Sequence, residues 1–364
     1  MEVSPFPFFG PLRADQVEGR HELIADLTAR ISARRVTALL GPRRYGKTSL
    51  LRRVAADLGA GGGTVLWFDL YEVQSMADLA IRLDDGMTDV GSEVGATLRK
   101  VAIGANLNLG LVRLNLTGPS AQRPDPSAVV HGQLQALIEL SKRSPLVLIF
   151  DEFSSLASVD GAPGLLRTHL QNHYQEIGLV FAGSEPSMML GMFTDQNQPF
   201  YSQAELIHIE PFSAMEVEEI VTTGFERTGR RSGDIPSRIF ALTGGHPQRS
   251  MQMADMVWRL TEPGEDATTP TWERAVTSVR SEVAGGLERL FSSFRGPERA
   301  VLRIVASGGS IFGSAAVLLD LASGSAQHAR DSLLDHGHLR KRDGGPLELT
   351  DPLMADWLRE TLPA

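Results

Sequence analysis

The 364 residues include no cysteine. That excludes disulfides, thiol nucleophiles and thiolate metal sites, and it fits an intracellular setting. Long apolar runs are missing too. The densest, Leu146-Val147-Leu148-Ile149-Phe150, falls well short of the roughly 18 residues a membrane span needs. The opening Met1-Glu2-Val3-Ser4-Pro5 lacks the basic start and apolar stretch of a secretory signal, so a cytoplasmic location is expected. Positive charge is in deficit: 35 Lys and Arg against 44 Asp and Glu give a formal charge of −9. A protein that mainly coats nucleic acid usually carries the opposite sign, so any DNA contact must come from a local patch. What is present suffices for a core. Hydrophobic residues make up 42% and charged residues 22%, near a globular average, and the length suggests about two or three domains.

From residue 20 to about 212, short apolar runs alternate with longer amphipathic ones. Strands are expected at 36–41, 64–70, 146–151, 179–183 and 206–209. Helices are expected at 47–58, 75–87, 126–142 and 165–177. Continuous apolar strands separated by helices read as a parallel three-layer α/β sheet. Within 98–125 the rhythm breaks: leucines 107, 109 and 111 alternate with polar or small residues, then shift phase at 114 and 116. That pattern predicts an inserted β-hairpin, a structural flap or a functional arm. After Phe212 the strand signals stop, and residues 213–294 read as helices.

Gly41-Pro42-Arg43-Arg44-Tyr45-Gly46-Lys47-Thr48 carries the full spacing of a phosphate-binding loop, with an apolar strand before it and Ser49 in the helix after it. Its glycines let main-chain N–H groups and the helix N-terminus face an anion. Lys47 adds a point charge for the β- and γ-phosphates, and Thr48 a hydroxyl for Mg²⁺. About a hundred residues on, the run 146–150 buries a strand and brings Asp151 to its C-terminal edge, where open α/β sheets bind ligands. Asp151 is the expected second Mg²⁺ ligand, and Glu152 the base for an attacking water. Ser184, at the end of the next strand, is either a sensor of phosphate and water or an ordinary hydrogen-bonded strand-end serine.

These residues resemble the archaeal-type P-loop ATPases, relatives of the AAA+ origin-recognition proteins and of the STAND switch ATPases. Val17-Glu18-Gly19-Arg20, the P-loop, Asp151-Glu152-Phe153, Gly183-Ser184 and Thr243-Gly244-Gly245-His246-Pro247 follow in the family's order. The resemblance implies an ATP- or ADP-binding core with Mg²⁺, a helical lid and a C-terminal winged helix. Val17, Gly19 and Arg20 would then line the adenine or ribose side, with a helix N-terminal salt link as the alternative for Arg20. The turn at His246 and Pro247 would close over the nucleotide or simply break the helix. Arg249 would be a second sensor at the γ-phosphate. The family's arginine before the last core strand has no counterpart in residues 195–205. As a trans arginine is worth about 10³–10⁵ in rate, slow turnover or activation by another protein is expected.

Residues 295–364 are expected to form three helices, 298–306, 314–322 and 325–337, followed by a two-stranded wing around Gly344-Gly345. The domains would be 1–212, 213–294 and 295–364. A DNA-binding winged helix would bring Gln327, His328 and Arg330 near bases and Arg340, Lys341 and Arg342 near phosphate. Against that stand 8 Arg or Lys and 9 Asp or Glu in the segment, so a protein partner is an equal reading. The function expected is a slow, Mg-dependent switch ATPase. The alternative is a non-catalytic scaffold holding nucleotide.

Overall fold

The computed structural model describes residues 2–88, 125–341 and 345–364. The hairpin expected at 98–125 lies outside the described residues except for Asp125, which caps a helix through its side chain. Arg342 and Gly344 also lie outside.

The chain forms two compact units, and one of them holds residues 22–41 and 47–209. Its elements begin with α1 (His21–Ser32), β1 (Thr37–Leu40), α2 (Lys47–Ala60), β2 (Thr64–Asp69) and α3 (Met76–Thr88). After the insertion come α4 (Pro126–Ser141), β3 (Leu146–Asp151), α5 (Ala162–Leu170), β4 (Ile177–Gly183), α6 (Pro186–Thr194) and β5 (Glu205–His208). The strands form a five-stranded sheet in the order β2-β3-β4-β1-β5, parallel throughout. Every residue of β1, β3 and β4 is buried, as continuous apolar strands require. Phe68, Phe150 and Phe181 stack across neighbouring strands at 5.2 and 5.5 Å.

Two expectations change here. The helix expected over 165–177 ends at Leu170, and β4 begins at Ile177 instead of Leu179. Gly178 looks like a breaker, but it is a strand residue. A Cβ there would meet Val147 at 3.0 Å and Ile31 at 3.1 Å, so the close approach of α1 to the sheet needs the glycine.

The second unit holds residues 1–21, 42–46 and 210–364. Its elements are α7 (Ala214–Glu226), α8 (Ile235–Thr243), α9 (Pro247–Arg259), α10 (Thr269–Ser293), α11 (Gly296–Ala306), α12 (Ser314–Leu318) and α13 (Ser323–Asp335). The antiparallel pair β6 (Leu339–Lys341) and β7 (Leu347–Leu349) and then α14 (Pro352–Thr361) complete it. One apolar cluster runs from Phe6 and Phe225 through Trp258 to Leu358. The N-terminal segment, expected with the sheet, packs in this unit: Phe6 lies 5.7 Å from Phe225, and buried Arg230 pairs with Glu2. Ser323 and Gly324, expected to separate two helices, open α13 instead. A glycine in a first turn interrupts little, since the N–H groups there lack intrahelical partners anyway. α12 is also shorter than expected, ending at Leu318.

Candidate functional site

In the sheet unit, strand order makes the site. β4 lies between β3 and β1, with Leu40 in register with Gly183 and Phe150 with Phe181. The C-terminal ends of β1, β3 and β4 therefore converge, bringing Gly41, Asp151-Glu152 and Ser184 to one edge. Gly41 has an ordinary backbone but no room: a Cβ would stand 1.9 Å from Ile209 Cγ2. Buried Lys47 donates from Nζ to the Gly41 carbonyl at 2.7 Å.

The Thr48 hydroxyl donates to the Asp151 carboxylate at 2.8 Å across 103 residues of sequence. Burial pushes Asp151 up to about 6, against the lowering effects of Thr48 and Lys47. The Thr48 hydroxyl and the Asp151 carboxylate are hard oxygen donors of the kind Mg²⁺ prefers. Glu152 takes a left-handed backbone at φ 53°. Its Oε2 accepts from the Ser184 hydroxyl at 2.7 Å and from the Ser184 N–H at 3.1 Å. The serine at the strand end thus grips the carboxylate expected to act as base.

The remaining expected residues belong to the helical unit. Val17 follows a short 3₁₀ turn, and Gly19 has φ 72°. The backbone N–H of Arg20 donates to Glu216 at 3.1 Å. Its guanidinium donates to the Glu210 carbonyl at 2.8 Å and lies 4.8 Å over the Phe212 ring. Burial brings its pKa down to about 10. Arg20 is thus tied into the start of the helical segment through its backbone N–H, a carbonyl and a ring.

Within the loop, Arg44 and Gly46 have φ 68° and 82°, the left-handed backbone of a curled anion nest. Arg44 donates to Gln248 at 3.3 Å. Tyr45 is 2% exposed, with its ring edge-on to His246 at 4.9 Å. His246 caps α9, its Nδ1 accepting from the Arg249 N–H, and Pro247 opens the helix. Burial brings His246 down to about 4, which keeps it neutral.

Arg249, expected as a second sensor, is hydrogen-bonded within the helical unit. Its Nε and Nη2 donate to Asp351 and its Nη1 to Gln252, so this buried guanidinium serves an internal ion pair. Burial pushes Asp351 up, but the bonds and charge of Arg249 outweigh it and hold the carboxyl low. Arg340 is likewise engaged, donating to Tyr45 Oη and to Glu348, both at 3.0 Å. Arg330 pairs with its neighbour Asp331. Gln327 and His328 are exposed on α13, and Lys341 is exposed on β6. The sequence gives no signal for the Tyr45–Arg340 bond. Asp351 is legible only as the cap before Pro352.

A family model described as an ATPase domain predominantly from Archaea matches residues 20–252. No curated protein matches the chain. Among solved structures it is similar to the Walker-type ATPase PABY2304 of Pyrococcus abyssi, at 20% identity over 98% of this chain and 99% of that one, TM-score 0.70. It is also similar to the ORC2 protein of Aeropyrum pernix in ADPNP–ADP complexes, at 17% identity over 98% and 95%, TM-score 0.59. The ORC1 protein of the same organism, solved in complex with DNA, is 14% identical over 95% and 93%, TM-score 0.51. At these identities the likenesses show the fold, the P-loop α/β core that the sequence predicts.

Proposed function

This chain belongs to the ATPase domain family that is predominantly from Archaea, and on that premise we propose how a nucleotide-binding ATPase works here. The observation that carries the reading is the pair of hydrogen-bonded sets at one sheet edge: Thr48 with Asp151, and Ser184 with Glu152. Lys47, Gly46 and the loop's N–H groups hold the phosphates. Thr48 and Asp151 would hold Mg²⁺, which would supply positive charge to offset that of the phosphates. Glu152 orients the attacking water and takes its proton. Ser184 acts through Glu152, as a positioning residue, by fixing one carboxylate oxygen so that the other faces the water.

Turnover is slow in this reading, because residues 195–205 supply no arginine. The functional parts are a core at 1–212, a lid at 213–294 and a winged helix at 295–364 that contacts a partner protein. Arg340 and Arg330 are already paired, which favours that output over DNA.

Single-turnover γ-phosphate release with excess protein, ATP and Mg²⁺ tests the reading. A slow first-order release is expected, and it should be lost in Lys47→Ala together with most ATP affinity. Binding without any release over hours would leave the non-catalytic scaffold.

A further inference from the structure

Two histidines that the phosphate site does not use meet within the sheet unit. His131 stands in the second turn of α4 and His169 in the last turn of α5, 38 residues apart in sequence. The Nδ1 of His131 faces the Nε2 of His169 at 2.6 Å, with the rings edge-on and their centroids 4.7 Å apart. Two bare lone pairs at that distance would repel, so one proton lies between the nitrogens. A metal cation can take the place of such a proton.

The surroundings suit a cation. His131 is exposed and His169 half-buried, so the pair opens to solvent. His169 sits at the C-terminal end of α5, the negative end of the helix dipole. Zinc–nitrogen bonds of about 2.0–2.1 Å in a tetrahedral site place two nitrogens about 3.3 Å apart. The pair must therefore widen by about 0.7 Å, which small side-chain rotations supply while both helices stay fixed. His173, four residues beyond His169, is held by Glu176 at 2.8 Å. Among the described residues, no three His, Cys, Asp or Glu side chains converge as a metal cluster. The protein thus offers two ligands, both imidazoles, a donor set that suits Zn²⁺, Ni²⁺ and Cu²⁺ over Mg²⁺ and Ca²⁺.

We infer that His131 and His169 form a two-histidine site for a divalent metal of the imidazole-binding class, typified by Zn²⁺, with water in its remaining positions. Bound there, the metal ties α4 to α5. The site shares no residue with Lys47, Thr48, Asp151 or Glu152, so it is separate from the one read as hydrolytic.

The probe is Zn²⁺, titrated calorimetrically without nucleotide and with excess Mg²⁺ present to occupy oxygen sites. His131→Ala and His169→Ala should each bind at least about tenfold more weakly than wild type. His131→Gln should do the same while keeping a side chain that can hydrogen-bond His169. His328→Ala, a change at an exposed histidine of α13, should bind like wild type. Melting temperatures measured in EDTA should agree among all five proteins, which separates a lost ligand from a damaged fold.

Three results would overturn the proposal: no wild-type binding up to about 1 mM Zn²⁺, wild-type affinity in either alanine variant of the pair, or an equal loss in His328→Ala. The last would mean that the ion collects on surface histidines in general.

Discussion

Glu152 stands at the end of β3 in a left-handed backbone, φ 53°, which costs a residue with a side chain about 1–2 kcal/mol. Its carboxylate is gripped twice by Ser184. Strain kept in place by neighbouring bonds is common where a side chain must be aimed for chemistry. Glu152→Gln should therefore bind ATP as before but turn over about 10²-fold or more slowly. Ser184→Ala should lower kcat by about tenfold with KM unchanged, and Ser184→Thr should restore it. Wild-type turnover in Ser184→Ala would remove the serine from the mechanism. His246 gives a pH signature. It stays neutral to about pH 4 in the fold but takes a proton near 6.5 when unfolded. The unfolded state then holds more protons, so stability falls as pH drops through that window, by up to about 3 kcal/mol. Asp151 acts with the opposite sign. Its folded value near 6 lies above 3.8, so its contribution fades as pH rises between them. Comparing urea unfolding of wild type with His246→Gln at several pH values isolates the histidine, whose variant should have the flatter profile below pH 6.5.

At the scale of elements, a glycine before α9 stands where chain segments nearly touch. Gly245 has φ 76°, and a Cβ there would lie 1.9 Å from the Phe212 carbonyl oxygen. Gly245→Ala should cost at least about 2 kcal/mol in chemical denaturation. A change within a few tenths would mean that the turn before α9 has room to shift. The centre of the sheet is legible in the sequence because β1, β3 and β4 are buried on both faces and read as apolar runs. The site at its edge was legible for a related reason. A strand's last apolar residue fixes where Asp151 and Glu152 emerge, and the glycine spacing of the loop is local. What could not be read are pairings set by packing across long stretches of chain. Arg249 finds Asp351 across 102 residues, and Arg340 finds Tyr45 across 295. Nothing in the residues around an arginine names its partner. The start of β4 was missed for a similar reason, since Gly178 owes its place to α1.

Across the whole molecule, charge bears on what the C-terminal segment can hold. Residues 304–329, which include α12 and most of α13, contain no Lys or Arg. The exposed side chains there include Phe312, Val317 and Leu318. Wild type is therefore expected to give no shift of mixed duplex DNA at about 50 mM salt with either ATP or ADP, where electrostatic binding is strongest. A clear shift, lost when Arg340, Lys341 and Arg342 are all changed to alanine, would establish the DNA reading instead. The bond from Arg340 to Tyr45 also determines how such questions can be put. A chain ended after residue 294 would lose both the hairpin arm that covers a tyrosine of the phosphate loop and the carboxylate that neutralises Arg249. A buried guanidinium stripped of its partner is strongly destabilising, by about 3–5 kcal/mol. Such a truncation would fail at nucleotide binding and at partner capture together, and a fault in one would be mistaken for a role in the other. Single substitutions on the exposed face of the segment keep the two questions apart.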